Sequence, residues 1–516
     1  MKQQDLRSQA LQLALAEAGQ PATGDRAQVE ALIATWLDSI EDEDLAGIAP
    51  QSLASPLWEG FSRLAKWTPQ EGCRIEQLPY ADGRGGQGTA LLILNEDMPF
   101  LVDSMVLALR KLRVPSRAVL NAVLSVQRAA DGSVAGVARV GNGGAPAESW
   151  VLCLLAEQPG LADLDTLLAN IRMAANDAAT VRHDAAALRA KLSEVAAGAV
   201  AQAGGADDQE VAAFLEWAKN GGFELFGYAR YQVQAGQREL VRTPGSALGV
   251  LEDRNHPVYG DCLAGIPGDF DTLAARKDTL SVVKADVQST LHRDQQLDFI
   301  GVRHVNAQGA ILGEYCFVGL FTRAATATPL ARLPFARGRI AKVLSIAGVR
   351  QEGFRAEKFV EILESLPRTE ALEAEPEWLA EVCGAVVSLY KQPRTKVFAR
   401  RDVYARHLNV LVYLPRERYS ASVASALAKA LQGSSGATHI SSQTLVADGP
   451  LARVYLIAHA ARYPLDLETD IQQPLLAVLD GWHDQFAALA DAVFDVPMRT
   501  SLRKLCATLP ADYVAS

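Results

Sequence analysis

Apolar residues recur every three to four positions in "LRSQALQLALAEA" and again in "AQVEALIATWLDSI", so residues 1 to about 70 read as helix. At "TALLIL" the period changes to a continuous apolar run, the mark of a buried strand, and the Gly-rich "ADGRGGQG" before it reads as a hinge. An amphipathic helix follows from Pro99 to Leu112, then a strand "AVLNAVLSVQR", a turn at Asp131 and Gly132, a strand "SWVLCLLAE", and helix again from about Leu161. The order is β-α-β-β-α, an α+β arrangement.

Residues 161 to about 220 are Ala-rich and helical, interrupted at "AGGADD". A second strand-rich segment runs from "FELFGYARYQVQ" to "DFIGVRHVNAQGAILGEYCFVGLFT", where "NAQG" joins two long strands as a hairpin. Helices return in "FARGRIAKVLSIAG", "AEKFVEILESLP" (stopped at Pro367) and "EWLAEVCGAVVSLY". A third unit then reads β-β-α-β-β, with its helix "ASVASALAKALQG" expected to close at Gly433. The predicted partition is 1–86, helical lead-in and hinge; 87–205, first α+β unit with a helical extension; 206–325, second α+β unit; 326–392, helical connector; 393–466, third unit; and 467–516, C-terminal helices.

At 516 residues the chain exceeds what one hydrophobic core serves, which agrees with several domains. A formal charge of −10 gives nucleic acid and anionic membrane no general attraction, so neither is expected as a partner. The six cysteines, at 73, 153, 262, 316, 383 and 506, form no CxxC pair and no zinc-ligand spacing, so no metal site is predicted. The charged N-terminus is no signal peptide and no run of about twenty apolar residues is present, which makes the cytoplasm the expected compartment.

Candidate chemistry is sparse. "GRGGQG" formally matches a dinucleotide fingerprint, but an apolar strand follows it where a helix N-terminus is required. In "HPVYGDCLAGIPG", His256 and Cys262 suggest a thiol nucleophile with an imidazole base, although a buried structural Cys fits the same residues. His292, His304, His407, His439 and His459 fall on strands or their ends and read as structural. Arg394, Lys396, Arg400, Arg401, Arg406, Arg416 and Arg418 gather in the third unit; Arg400, Arg401, Arg416 and Arg418 are candidate anion or interface contacts. No P-loop, GxSxG or metal-ligand helix motif occurs, and no catalytic residue is assigned. In "NEDMPFLVDSMVLALRKL", Asp97 reads as the helix N-cap and Pro99 as first-turn residue, while Phe100, Leu101, Met105, Leu109 and Leu112 form one apolar face. Glu96 and Asp103 are left over to orient the loop or engage a cation.

A strand ending in "NEDMPFLVDS" before an amphipathic helix resembles the β1-α1 junction of ACT domains, whose pattern there is acid-x-Pro-Gly-Leu. Together with "HPVYGDCLAGIPG", "DFIGVRHVNAQGAILGEYCFVGLFT", "VFARRDVYARHLNVLVYLPRERYS" and "LARVYLIAHA", in this order, it makes the chain similar to the N-terminal half of the large bacterial NAD-dependent glutamate dehydrogenases from about residue 90 to 490. The resemblance implies a multidomain α+β chain of about three ACT-like antiparallel-sheet sandwich units joined by helices. It implies a regulatory and oligomerisation region, with the catalytic and NAD-binding domains downstream and no cofactor in this segment. The partners implied are further copies of the chain, the catalytic half and an amino-acid effector. Asn95, Glu96, Asp97, Met98, Phe100 and Asp103 are then the effector-binding or module-interface residues, with Phe100 standing where the family pattern has Gly. A free-standing ACT-type amino-acid sensor and a Cys262-dependent hydrolase are the alternatives.

Overall fold

A computed structural model describes residues 3–479, except positions 17, 24, 84, 142–145, 204–205, 235–237, 261–262, 264–269, 405, 447–448 and 460–465, and also Met498. The chain divides into two compact units, the first comprising residues 1–188, 248–259 and 287–297 and the second the remainder.

In the first unit, strands β1 (Arg74–Ala81), β2 (Gln87–Glu96), β3 (Ser116–Arg128), β4 (Val134–Arg139) and β5 (Ala147–Leu155) form an antiparallel sheet in the order β1-β2-β5-β3-β4. The lead-in helices, among them Arg26–Ser39 and Pro50–Ser55, share one apolar core with this sheet. Trp36 Nε1 donates to the Trp150 carbonyl at 2.9 Å, and Phe61 stacks on the Trp150 ring at 4.8 Å, which satisfies the one polar atom of a wholly buried indole. The Gly-rich stretch expected as a hinge is instead the turn of the β1-β2 hairpin: Asp82 N–H donates to the Gly86 carbonyl, and Gly83 and Gly85 supply the positive φ values a tight reversal needs. The helix expected from Pro99 begins at Leu101, after Phe100, and ends at Lys111. Leu101, Met105 and Leu109 are buried as its pattern predicts. A 43-residue helix, Leu161–Ala203, follows.

In the second unit, β6 (Phe223–Val233), β7 (Leu240–Arg242), β9 (Leu280–Gln288), β10 (Gln296–Val305) and β11 (Ile311–Phe321) pair in the order β7-β6-β11-β10-β9; the two-residue β8 (Leu248–Gly249), between β7 and β9 in sequence, falls in the first unit. The "NAQG" hairpin joins β10 to β11, with Asn306 Oδ1 accepting from the Gln308 and Ala310 amides and Gly309 at φ +80°. Helices Ala336–Ile346, Phe354–Ser365, Arg368–Glu373 and Pro376–Lys391 lead to a third sheet, β12 (Lys396–Arg401), β13 (His407–Pro415), β14 (His439–Val446) and β15 (Leu451–His459), ordered β12-β13-β15-β14. One face of this sheet, including Leu408, Val410, Val412, Val454 and Leu456, packs on helix Ala421–Ser435 and on Ile471 and Leu475. That helix closes at Gly436, φ +62°, and not at Gly433, because Leu431 and Ser435 are still buried on its inner side. The three expected antiparallel sheets are all present. The expected C-terminal helices lie outside the described residues beyond Leu479.

Candidate functional site

The strand-to-helix junction at Asn95–Asp103 is closed by its own chain. Phe100 takes the left-handed conformation, φ +70°, that explains why the family pattern has Gly there, and its ring meets the His292 ring at 5.0 Å. The His292 backbone N–H donates to Ser104 Oγ at 3.0 Å and its Nδ1 lies 2.9 Å from the Asp103 carboxylate. Glu96 pairs with Arg182 at 3.1 Å. Asp97 is not an N-cap: its own N–H donates to the Ala147 carbonyl, and burial pushes its carboxyl above the ordinary range despite the nearby Arg182. Met98 and Asn95 are buried, and Asn95 Nδ2 has no partner among the described residues.

Along the C-terminal half of the following helix a cavity of about 290 Å³ is lined by Leu107, Ala108, Lys111, Met173, Val258 and Thr290, with Lys111 Nζ donating to the Ser289 carbonyl at 2.6 Å. Thr290 continues into a buried relay. Its hydroxyl donates to Asp177 at 2.7 Å, the Tyr259 hydroxyl donates to Thr290 Oγ1, and His256 Nε2 lies 2.8 Å from Asp177. The Val258 and Tyr259 amides both donate to His256 Nδ1, which fixes the tautomer with the proton on Nε2. His256 is therefore committed to holding its own loop. Cys262, its proposed nucleophile partner, lies outside the described residues.

The four candidate arginines do not converge. Arg400 is forked onto Glu370 at 2.7 and 2.8 Å and also reaches Glu373, so its donors are occupied by carboxylates. Burial works against that cation, but Glu370 and Glu373 more than offset it and hold its pKa well above the ordinary value. Arg401 is exposed beside it at the end of β12, opposite Leu408 near the start of β13. Arg416 and Arg418 follow the other end, about 25 Å away at the usual strand rise, and Arg418 donates to the Leu479 carbonyl.

Two constellations had no local sequence signature. Arg276, Glu314 and Tyr404 meet in the interior: Arg276 pairs with Glu314, and the Tyr404 hydroxyl lies 2.7 Å from Arg276, 3.1 Å from Glu314 and 2.8 Å from Ser281 Oγ. The second is a row of three histidines abreast on the third sheet, His407 opposite His459 and His439 opposite His459. Asp286 Oδ1, at the end of β9, lies 3.4 Å from His459 Nδ1, while His459 Nε2 is 3.0 Å from Ser441 Oγ. His407 is 1% exposed, and among the described residues neither of its ring nitrogens makes a well-aligned hydrogen bond, the Lys284 backbone being the polar group that acts on it. Burial, with Arg406 and His459 close by, drives its pKa down to about 3, so the ring is neutral.

The first and third antiparallel sheets, each with packed helices, are of ACT-domain type, and comparisons with known proteins assign both of them and the helical segment that precedes the third. The glutamate dehydrogenase ACT1 domain matches residues 32–171, glutamate dehydrogenase helical motif 1 matches 333–392, and the glutamate dehydrogenase ACT2 domain matches 396–483. The chain belongs to the family of the large NAD-specific glutamate dehydrogenases, whose ACT1, helical-motif and ACT2 domains it carries in that order. It is 26% identical to the NAD-specific glutamate dehydrogenase of Halomonas elongata over 477 residues, 89% of this chain and 29% of the relative. The enzyme of Pseudomonas aeruginosa is 25% identical over 469 residues, 88% of this chain and 28% of its own. That of Mycobacterium tuberculosis is 28% identical over 440 residues, 81% and 26%. The chain thus spans less than a third of the length of these relatives. The second sheet lies outside the three matched ranges. Among the described residues no helix is long and apolar enough to cross a membrane.

Proposed function

We propose that this chain is the regulatory and assembly region of a large NAD-dependent glutamate dehydrogenase, whose parent reaction converts L-glutamate and NAD to 2-oxoglutarate, ammonia and NADH. The observation that supports it is the tiling of ACT1, helical motif and ACT2 along a chain that corresponds to under a third of its relatives. The fate of the buried charges points the same way. Arg276 with Glu314, and Arg400 with Glu370 and Glu373, are matched to one another across sheets and helices, which suits ties between elements better than reactive groups facing a substrate. NAD belongs to the catalytic part of the parent enzyme, and the partners of this region are further copies of itself and that catalytic part. The purified chain is expected to form no NADH from glutamate and NAD, and to self-associate or bind the catalytic part in light scattering. Glutamate-dependent NADH formation by the purified chain overturns the reading.

The cavity along the C-terminal half of the helix Leu101–Lys111 favours a second reading, an amino-acid sensor. Lys111 lines it as a cation for a carboxylate, with an apolar lining for a side chain. An amino acid bound to the native state at about 100 times its Kd adds roughly 2.7 kcal/mol of stability. A thermal-shift titration with the common amino acids reads this directly, and the shift should vanish in Lys111→Met. No shift with any amino acid removes the sensing reading and leaves assembly.

A further inference from the structure

We propose that Asp286, His407 and His459 form a binding site for a divalent transition metal ion, zinc being the ion to test first. Two imidazoles and a carboxylate are a donor set of the kind that takes zinc with a further position open. Their candidate ligand atoms all lie within 4.8 Å of one another. Tetrahedral zinc with bonds of about 2.0–2.1 Å holds its ligands about 3.3 Å apart. The 3.4 Å between Asp286 Oδ1 and His459 Nδ1 already meets that spacing, and the widest pair needs to close by about 1.5 Å, within reach of side-chain rotation.

The decisive residue is His407. A buried polar ring is normally hydrogen-bonded, and at 1% exposure His407 has lost water while making no well-aligned hydrogen bond among the described residues, its one polar backbone neighbour being the Lys284 carbonyl that Arg406 already uses. A metal bond supplies a well-aligned partner. The surroundings suit it further. Ser441 Oγ at 3.0 Å from His459 Nε2 accepts that N–H when Nδ1 is the ligand, the outer hydrogen bond that fixes the tautomer of a metal-bound histidine. Asp286, its side chain 48% exposed, leaves an entry path from solvent. Arg406, the nearby cation, reaches the Lys284 carbonyl at 2.7 Å and Asp402 at 3.2 Å through Nη2, so a carboxylate stands beside its charge. Asp286 comes from β9 and the two histidines from β13 and β15, so the ion would join the second sheet to the third.

The line Ser441, His459, Asp286 also has the connectivity of a hydrolase triad. Ser441 stands within edge strand β14, however, not on the sharp strand-to-helix turn that presents such a nucleophile, and a triad leaves His407 without a role.

The test uses the untagged 516-residue chain, stripped by chelator and titrated with Zn²⁺ and Co²⁺ by calorimetry and by dialysis with elemental analysis. One equivalent of metal is expected, with Co²⁺ giving the visible d–d bands of a four-coordinate nitrogen and oxygen site. Asp286→Asn should weaken binding at least tenfold, and His459→Gln should remove the bands. Should His459→Gln fail to fold by circular dichroism, Asp286→Asn decides alone, since its side chain is half-exposed. Less than a tenth of an equivalent bound, binding unchanged in Asp286→Asn, or covalent labelling of Ser441 by a fluorophosphonate each overturns the proposal.

Discussion

The interior pair of Arg276 and Glu314 allows a quantitative test of how the second unit is held together. The side chains are 3% and 0% exposed, and Tyr404 bridges both. Burial pushes the Glu314 carboxyl upward and Arg276 pulls it back. A guanidinium does not give up its proton, so the geometry demands a carboxylate opposite it. Glu314→Gln keeps the shape and removes that charge, leaving a buried cation uncompensated at a cost of about 3–5 kcal/mol. The opening equilibrium of β10 and β11 should then rise roughly a hundredfold to several-thousandfold, at about 1.4 kcal/mol per tenfold. Hydrogen exchange of peptides from these strands, read by mass spectrometry, isolates the effect from a chain with two compact units, for which a single global unfolding midpoint is a poor measure. The double replacement Arg276→Met with Glu314→Leu removes both charges and should recover most of the loss, so the coupling appears as strong non-additivity. A Glu314→Gln protein within about 1 kcal/mol of wild type would refute the reasoning, because Glu314 would then already be a neutral acid.

Burial raises the Asp177 carboxyl above its ordinary value, so folding takes up a proton between the unfolded and folded pKa values. That contribution is present below the unfolded value, near 3.9, and is lost as pH rises through the folded one. Asp177→Asn should flatten this part of the stability-against-pH curve, measured by thermal melts from acid to neutral pH; an unchanged slope contradicts it. A Cβ at Gly319 would stand 1.9 Å from the Glu224 carbonyl oxygen on the paired strand β6. Gly319→Ala should therefore destabilise the second sheet by about 1–3 kcal/mol, seen as faster exchange in β6 and β11, and a neutral result would mean the ladder yields there.

The elements set by local chemistry were legible in the sequence. "NAQG" specifies its hairpin through the Asn306 side chain and Gly309, and the period change at "TALLIL" marks β2. What escaped was set by tertiary contacts. β1 carries Glu76, Gln77 and Pro79, which read as non-strand, yet it is an edge strand where polar residues and Pro are tolerated. The helix after β2 starts past a non-Gly residue in left-handed conformation, which the sequence disfavours and which His292, far along the chain, packs against. The candidate site was legible only as a location. Asn95–Asp103 is indeed a strand-to-helix junction, but nothing local announces the turn at His292 that covers it. Arg400, on strand β12, looked available because Glu370 and Glu373 lie on a helix earlier in the chain. His407 and His459 meet only through strand pairing, so their spacing resembles no metal motif.

The ties through Arg400, Tyr404 and Tyr455 bear on how this protein can be dissected. The ACT2 match begins at residue 396, yet Arg400 and Tyr455 find their carboxylate on Glu370, and Tyr404 finds its partners on Arg276 and Glu314. A fragment excised at that boundary would carry an arginine and two tyrosines stripped of the groups they are folded around. Their polar atoms would have only water to turn to, on a sheet face evolved to be dry. The boundary drawn by sequence similarity is thus not a line of mechanical independence, and the smallest faithful piece containing the third sheet reaches back at least to Arg276.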